Sequence, residues 1–436
     1  MTETYFEKLI LERQFIGLLQ AHAEVFFRLS NSLLAPGLDS WNKKHFFQLI
    51  SEADALESFL DDYGARYNRT YAFLTELVAS LRWFAHAGYS IAHMVSRLES
   101  YGAPSWLTDE DWREATEALQ GGVAFLQGNA VRLIQAVRVE AQRLSIELTP
   151  EAFPESNFMP VVARRRLPRS VGQAELQNEE QKIGEVVTKF LRACDLLRDL
   201  RVRRLHDARE RHAFFARTCT EAQARTYEAT VHNLQSTYDT HIQNTVLEAR
   251  DERLPKLRGH VSAALHLLQA VTHLSHFIER HETDIRSEEA KRKISELVER
   301  SEVEGVALNV FLFWADRFLR SGQPLAEALL PEYTKLLELE LELPDHLALH
   351  ARPAALIVGI VNHHSTPVEM EVGGRRCNAG SILELLVAVG SQPHQKRFVF
   401  RGDERPVRDI ARLFTAELGE KGLDLLPAEL AYLRAQ

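Results

Sequence analysis

Two hydrophobic periods divide this chain. From Tyr5 to about Tyr333 apolar residues return at steps of three and four, the spacing of helices that each bury one stripe. Ile183, Val187, Phe190, Cys194 and Leu197 draw one such stripe, and Val303, Val306, Val310 and Phe313 another. At Leu337 the rhythm changes: Leu337 to Leu343 reads LELELEL, a strict alternation of apolar and acidic side chains that predicts a strand with one buried face.

Punctuation within the helical part is readable. Pro36-Gly37 ends a first helix, Asp39-Ser40 is positioned to cap a second, and Gly64 separates a third segment that runs through Trp83 to about Tyr101. Thr108 opens a long helix whose first turn holds Asp109, Glu110 and Asp111, acids that complement the positive end of the helix dipole. Between Thr149 and Val171, Pro150, Pro154, Pro160 and Pro168 surround Arg164-Arg165-Arg166, which predicts a linker or an extended strap. A solvated linker is favoured there over a docking site for an acidic partner. Pro255 and the Thr283 region are expected to break the second half. The expected organisation is a helical domain over 1–148, a Pro/Arg-rich linker over 149–171 and a second helical bundle region over 172–333, either separate from the first or one unit with it.

The last part, 334–436, has its own order. A helix begins near Ala351, VEMEV at Val368 to Val372 is a second strand, and Gly373-Gly374 turns the chain back through Arg375 to Asn378. Ser381 and Glu384 form a capping box for a second helix, Phe398 to Phe400 is a fourth strand, and Gly402-Asp403 is expected to turn. The final helix shows Val407, Ile410, Phe414 and Leu418 on one face, and the tail Leu423 to Gln436 is expected to add a short helix. The fold class is therefore multidomain: a large all-α bundle followed by an α+β open-faced sandwich of order βαββαβα.

Composition narrows the function. The chain has 436 residues, 45% apolar and 26% charged, which suits a folded protein of two or three domains. A net charge of −9 argues against nucleic acid as the main partner. No window reaches the ~18 apolar residues of a membrane span, and MTETYFEKLI lacks the basic start of an export signal. Cys194, Cys219 and Cys377 are an odd, scattered set without CxxC, so neither a disulfide framework nor a zinc knuckle is indicated. The expected compartment is the cytoplasm, and no motif calls for a cofactor.

Candidate chemistry concentrates in LALHARPAAL, Leu347 to Leu356. His350 precedes a helix whose free amides and dipole favour anions, Arg352 offers a guanidinium to phosphoryl oxygens, and Pro353 suits the first turn. Ala351, Arg352 and Pro353 thus make a phosphate-binding helix N-terminus, and His350 is placed to take up a phosphoryl group as nucleophile. Together with CNAGSILELL and FRGDERPVRDIARL, this stretch resembles HPr, the histidine-containing phosphocarrier protein of the phosphoenolpyruvate-dependent phosphotransferase system of bacteria, over roughly Leu336 to Leu418. The resemblance implies that His350 is phosphorylated with Arg352 as its partner, that an Enzyme I-like protein is the donor, and that another phosphotransferase component is the acceptor. Ser381 matches a position of regulatory phosphorylation in some family members, although its structural job as an N-cap is the favoured reading. Ala348, Gly380, Glu384, Val389 and Pro393 depart from the family pattern and place an acid in the docking surface of the second helix.

Nothing comparable marks residues 1–333. HLLQAVTHLSHFIERHE gathers His266, His273, His276, Glu279 and His281, and is read as ordinary helix surface with no metal assigned. The Arg-rich Arg198 to His212 is read as a salt-bridged helix face. The helical region is expected to be a regulatory or docking module, with a second copy of the chain as a candidate partner. An alternative makes the whole protein a sensor whose phosphorylation state changes its grip on a partner.

Overall fold

A computed structural model describes residues 9–159, 179–280 and 288–435. Its chain contacts separate into two compact units. One comprises Met1–Pro168, Leu196–His232 and Gly259–Ser321; the other comprises Arg169–Asp195, Asn233–Arg258 and Gly322–Gln436.

In the first unit, α1 (Glu12–Leu33), α2 (Lys43–Asp62), α3 (Ala72–Val95) and α4 (Asp109–Arg143) pack along their apolar stripes. Helix α3 is buried almost all round, through Leu77, Val78, Leu81, Phe84 and Ile91. Gly88 lets it approach α2, since a Cβ there would lie 2.2 Å from the Phe46 ring. Thr108 caps α4 as expected, accepting from the Asp111 N–H at 3.2 Å. The cap of α2, however, is Asn42 and not Asp39-Ser40. The Asn42 carboxamide oxygen accepts from the Lys44 N–H at 2.8 Å, and His45 Nδ1 accepts from the Asn42 N–H at 3.1 Å. Residues 149–159 lie as a strap: Asn31 donates to the Thr149 carbonyl at 2.8 Å, Ser32 accepts from the Phe153 N–H at 2.8 Å, and Phe158 stacks on His45 at 4.5 Å. Arg164-Arg165-Arg166, Thr283 and His281 lie outside the described residues.

The second helical half consists of α5 (Glu179–Asp199), α6 (Ala208–Thr218), α7 (Glu221–His241), α8 (Val246–Arg250), α9 (Arg253–Arg280), α10 (Glu288–Leu297), α11 (Arg300–Val306) and α12 (Phe313–Tyr333). The Ile183 to Leu197 stripe is buried as read. The break expected at Pro255 falls just ahead of it: α8 ends at Arg250, α9 begins at Arg253, and Pro255 sits in its first turn, where a missing N–H costs nothing. Two local expectations change. A π-helical turn at Ala307–Leu312 adds a residue to the helical cycle, so the buried face shifts from Val306 and Val310 to Ala307, Phe311, Trp314 and Phe318. Arg198 to His212 is not one helix: α5 stops at Asp199, Arg201 takes φ 53°, and Asp207 caps α6. Two of its arginines are nonetheless paired, Arg203 with Glu210 at 2.5 Å and Arg204 with Glu114.

The C-terminal sandwich lies within the second unit. Strands β1 (Leu336–Glu342), β2 (Val368–Val372), β3 (Arg375–Asn378) and β4 (Arg397–Asp403) form an antiparallel sheet of order β1-β4-β2-β3. Alternation decides its two faces. Met370, Phe398 and Phe400 point into a core shared with α13 (Ala351–His364), α14 (Ile382–Gly390) and α15 (Glu404–Thr415), while Glu338, Glu369 and Glu371 face outward and pair with Arg401. Gly373 and Gly374 take φ of 55° and 79° in the hairpin turn, which L side chains resist. The expected turn at Gly402-Asp403 is absent: β4 runs to Asp403 and α15 starts at Glu404. Gly402 is needed there for a close approach, since a Cβ would stand 2.6 Å from the Pro367 carbonyl oxygen.

Candidate functional site

The site is assembled where β1 hands over to α13. Buried Leu347 and Leu349 hold the connecting loop down, and Lys396 donates to the Leu347 carbonyl at 2.5 Å. On the far side Pro353 and Ala354 are buried in the first turn of the helix. His350, Ala351 and Arg352 are left as an exposed step between two anchored flanks.

His350 is the N-cap residue of α13, with φ −108° and ψ −169°. Its carbonyl accepts the first helical bond from the Ala354 N–H at 3.0 Å, yet its side chain makes no cap bond and is 55% exposed. Ala351 and Arg352 present amides with no intrahelical acceptor, and Pro353 has none to leave unpaired. The Arg352 guanidinium is exposed and has no ion pair or hydrogen bond among the described residues. An exposed imidazole that makes no cap bond, two amides without an intrahelical acceptor and the Arg352 guanidinium therefore meet at the positive end of a helix, a combination suited to a phosphoryl group.

A residue missed in the sequence stands beside them. Glu420 Oε1 lies 3.0 Å from His350 Nε2. It arrives through a left-handed turn after α15, with φ of 51° at Glu417, 57° at Leu418 and 73° at Gly419. Gly419 signals the turn in the sequence, but nothing local ties Glu420 to His350. The rest of the extension is anchored by Leu418, Leu426, Leu430 and Leu433, all in the core of the sandwich. Tyr432 and His364 donate to Asp409 Oδ2 at 2.7 and 2.8 Å, Arg412 bonds Oδ1, and the Tyr432 ring stacks on His363 at 3.7 Å. Burial pushes the Asp409 carboxyl up, but these three donors outweigh it and hold it below the usual carboxylate range.

Ser381 heads α14, where its hydroxyl oxygen accepts from the Glu384 N–H at 3.4 Å. Only half of the expected capping box forms, because the Glu384 carboxylate accepts from the Asn378 N–H at 3.0 Å in place of that of Ser381. No hydrogen bond or ion pair joins Ser381 to His350 among the described residues. Ile382, Leu383 and Val387 expose 43%, 70% and 46% of their surface, an apolar strip along α14.

The histidines of α9 do other work. His266 meets His93 at 4.8 Å, His273 meets His86 at 5.1 Å, and His276 packs on Trp83 at 3.9 Å, so α9 and α3 interlock through rings. His276 Nδ1 is 2.7 Å from a Glu221 oxygen, and Glu279 accepts from the Glu221 N–H at 2.7 Å. Burial pushes His93 down to about 4 and His273 to about 3. Among the described residues no group of three or more His, Cys, Asp or Glu has an arrangement that could hold a metal ion.

Residues 337–405 match the family model of the PTS HPr component phosphorylation site. The C-terminal domain is thus HPr-like, and the matched span encloses His350, Arg352 and Ser381. A domain of this kind has a phosphocarrier-type role and works with phosphotransferase-system proteins. Residues ahead of it match no family model, and no curated protein and no solved structure matches the chain. Among the described residues no helix is long and apolar enough to cross a membrane.

Proposed function

We propose that this protein is a phosphocarrier fused to a helical regulatory module, with His350 as the residue that carries the group. An Enzyme I-like protein, charged from phosphoenolpyruvate, supplies the phosphoryl group from its own phosphohistidine. A lone pair on the His350 ring attacks phosphorus, the donor N–P bond breaks, and its electron pair stays on the donor imidazole. The three oxygens are received by the Ala351 and Arg352 amides and the Arg352 guanidinium. A phosphotransferase acceptor protein then takes the group by the same displacement in reverse. The setting is cytoplasmic, and the carrier module spans 334–436.

The observation that supports this most is the exposed His350 imidazole, free of any cap bond, at the head of α13 beside an Arg352 guanidinium that has no hydrogen bond or ion pair among the described residues. Incubating the chain with phosphoenolpyruvate and Enzyme I should give an acid-labile, alkali-stable phosphoprotein. Equal labelling of a His350→Ala chain refutes the assignment. The apolar strip of α14 is the natural face for the donor and acceptor, with Glu384 altering which partners fit. Ser381 is read as a cap first and as a regulatory phosphorylation site second.

One observation favours a sensing role beside carriage. The compact unit that holds the HPr-like domain also holds Arg169–Asp195, Asn233–Arg258 and the end of α12, so helical segments share its packing. In that role the phosphoryl group stays on His350, and the partner captured by the helical region changes with it. Rapid discharge to an acceptor protein, with no change in the captured partner, defeats this version.

A further inference from the structure

We infer that the helical region carries a small-molecule site of its own: a cavity between the end of α1, the start of α2 and the strap, suited to a neutral, mostly apolar ligand that presents one hydrogen-bond acceptor to His45. This does not depend on the phosphocarrier reading of His350. The cavity measures about 500 Å³, inside the range of sites that hold compact organic ligands, and all of its walls belong to the first compact unit. Pro36, Leu38, Phe153 and Phe158 give it apolar walls from separate stretches of chain. The strap side is pinned by the Ser32 hydroxyl, which accepts from the Phe153 N–H at 2.8 Å, and by Asn42 Nδ2, which donates to the Phe158 carbonyl at 3.2 Å. The space is therefore formed before any ligand arrives.

What the walls leave unpaired defines the ligand. Asn31 is committed at both ends: Nδ2 donates to the Thr149 and Glu151 carbonyls at 2.8 and 2.6 Å, and Oδ1 accepts from Arg138 at 2.6 Å. The Ser32 hydroxyl, besides accepting from Phe153, donates to the Phe153 carbonyl at 3.3 Å. His45 differs. It is 7% exposed, and its Nδ1 accepts from the Asn42 N–H, which puts the proton of the neutral ring on Nε2. Burial holds the ring below its ordinary pKa, so the neutral form is the one present at neutral pH. The Nε2–H has no hydrogen bond among the described residues, yet it is not sealed from solvent as Nδ1 of His93 and of His273 are. For a ring this deeply buried that lines the cavity, the space it opens to is the cavity. A donor left there without an acceptor costs free energy that a ligand's carbonyl or ring nitrogen recovers. Charge narrows the class further. Among the described residues Glu155 is the one ionised wall residue, so an anion meets repulsion, while a cation meets the positive end of the His45 N–H. An occupant touches both helices and the strap at once, so binding also stabilises the unit.

The test uses the full chain with ¹⁵N-labelled histidine and coumarin as the probe, a neutral fused-ring molecule with a carbonyl acceptor. Coumarin is expected to move the His45 Nε2 signal saturably, with half-saturation at about 0.1–1 mM, the range for a ligand of about ten heavy atoms. Coumarin-3-carboxylate, the same rings with a negative charge, should bind at least about tenfold more weakly. Leu38→Trp adds bulk to a wall and leaves the donor in place, and it should weaken coumarin at least about fivefold. His45→Asn keeps an oxygen for the Asn42 N–H but supplies no donor where Nε2 stood, and it should weaken coumarin about five- to tenfold. Thermal melts without probe establish that each variant is folded. A His45 signal that stays in place at about 5 mM coumarin overturns the inference. So does a carboxylate that binds as tightly as coumarin, or unchanged coumarin affinity in either folded variant.

Discussion

Acidification should loosen the helical region through its buried histidines, and His260 is the one that can be singled out. His260 of α9 is 3% exposed, stacks on Trp106 at 3.9 Å, and donates its Nδ1–H to the Phe318 carbonyl at 2.8 Å, with the Ser321 hydroxyl 3.3 Å away. Burial pushes it down to about 4, against a smaller upward pull from the Phe318 hydrogen bond. In the unfolded chain the same ring titrates near ~6.5. Below that value the unfolded state takes up a proton that the folded state refuses, so stability falls as pH falls. Between pH 7 and pH 5 the loss from this group is about 2 kcal/mol, levelling at about 3 kcal/mol once the pH is below 4. His93 and His273 act with the same sign, so His260 is isolated by comparison with His260→Gln, whose carboxamide N–H can still reach the Phe318 carbonyl. Urea unfolding followed by tryptophan fluorescence at the two pH values provides the measurement. Wild type should lose about 2 kcal/mol more than the variant on acidification. Equal losses, or a His260 signal titrating at its ordinary value by NMR, refute the reasoning.

Two further outcomes concern the HPr-like domain. Asp409→Asn removes the charge that gathers Tyr432, His364 and Arg412, and should lower stability by about 2–4 kcal/mol in a thermal melt. Because the folded carboxyl titrates below its usual value, the wild-type advantage is full above about pH 4 and is lost as the pH drops further, so the two melting curves should converge in acid. Ser381→Ala gives up a long cap bond of 3.4 Å and should cost about 1 kcal/mol or less in the same melt. It should leave His350 labelling intact, and loss of labelling would show that Ser381 does more than cap.

Much of the candidate site is legible in ten residues because its physics is local. A histidine before Ala-Arg-Pro at the start of an apolar helical run determines an N-cap, unpaired amides and a nearby guanidinium without help from distant segments. The alternation at LELELEL and VEMEV likewise determines two strands, and with them which glutamates face outward, since pleating sends successive side chains to opposite faces. Where local cues compete, packing chooses. Asn42 displaces Asp39-Ser40 as a cap because His45 completes its hydrogen-bond pair. The π-helical turn rotates a stripe that simple 3.6-residue counting places elsewhere.

What only the tertiary structure decides are the meetings of residues far apart in the chain. Glu420 reaches His350 because buried Leu418, Leu426, Leu430 and Leu433 hold the extension in place and three left-handed residues turn it. His260 becomes reluctant to protonate because packing against Trp106 takes its ring out of water, which outweighs the pull of the Phe318 carbonyl. Neither is written in a spacing: the desolvation of a charge and the distance between two side chains depend on how whole faces pack, whereas periods and caps depend on the backbone within a few residues.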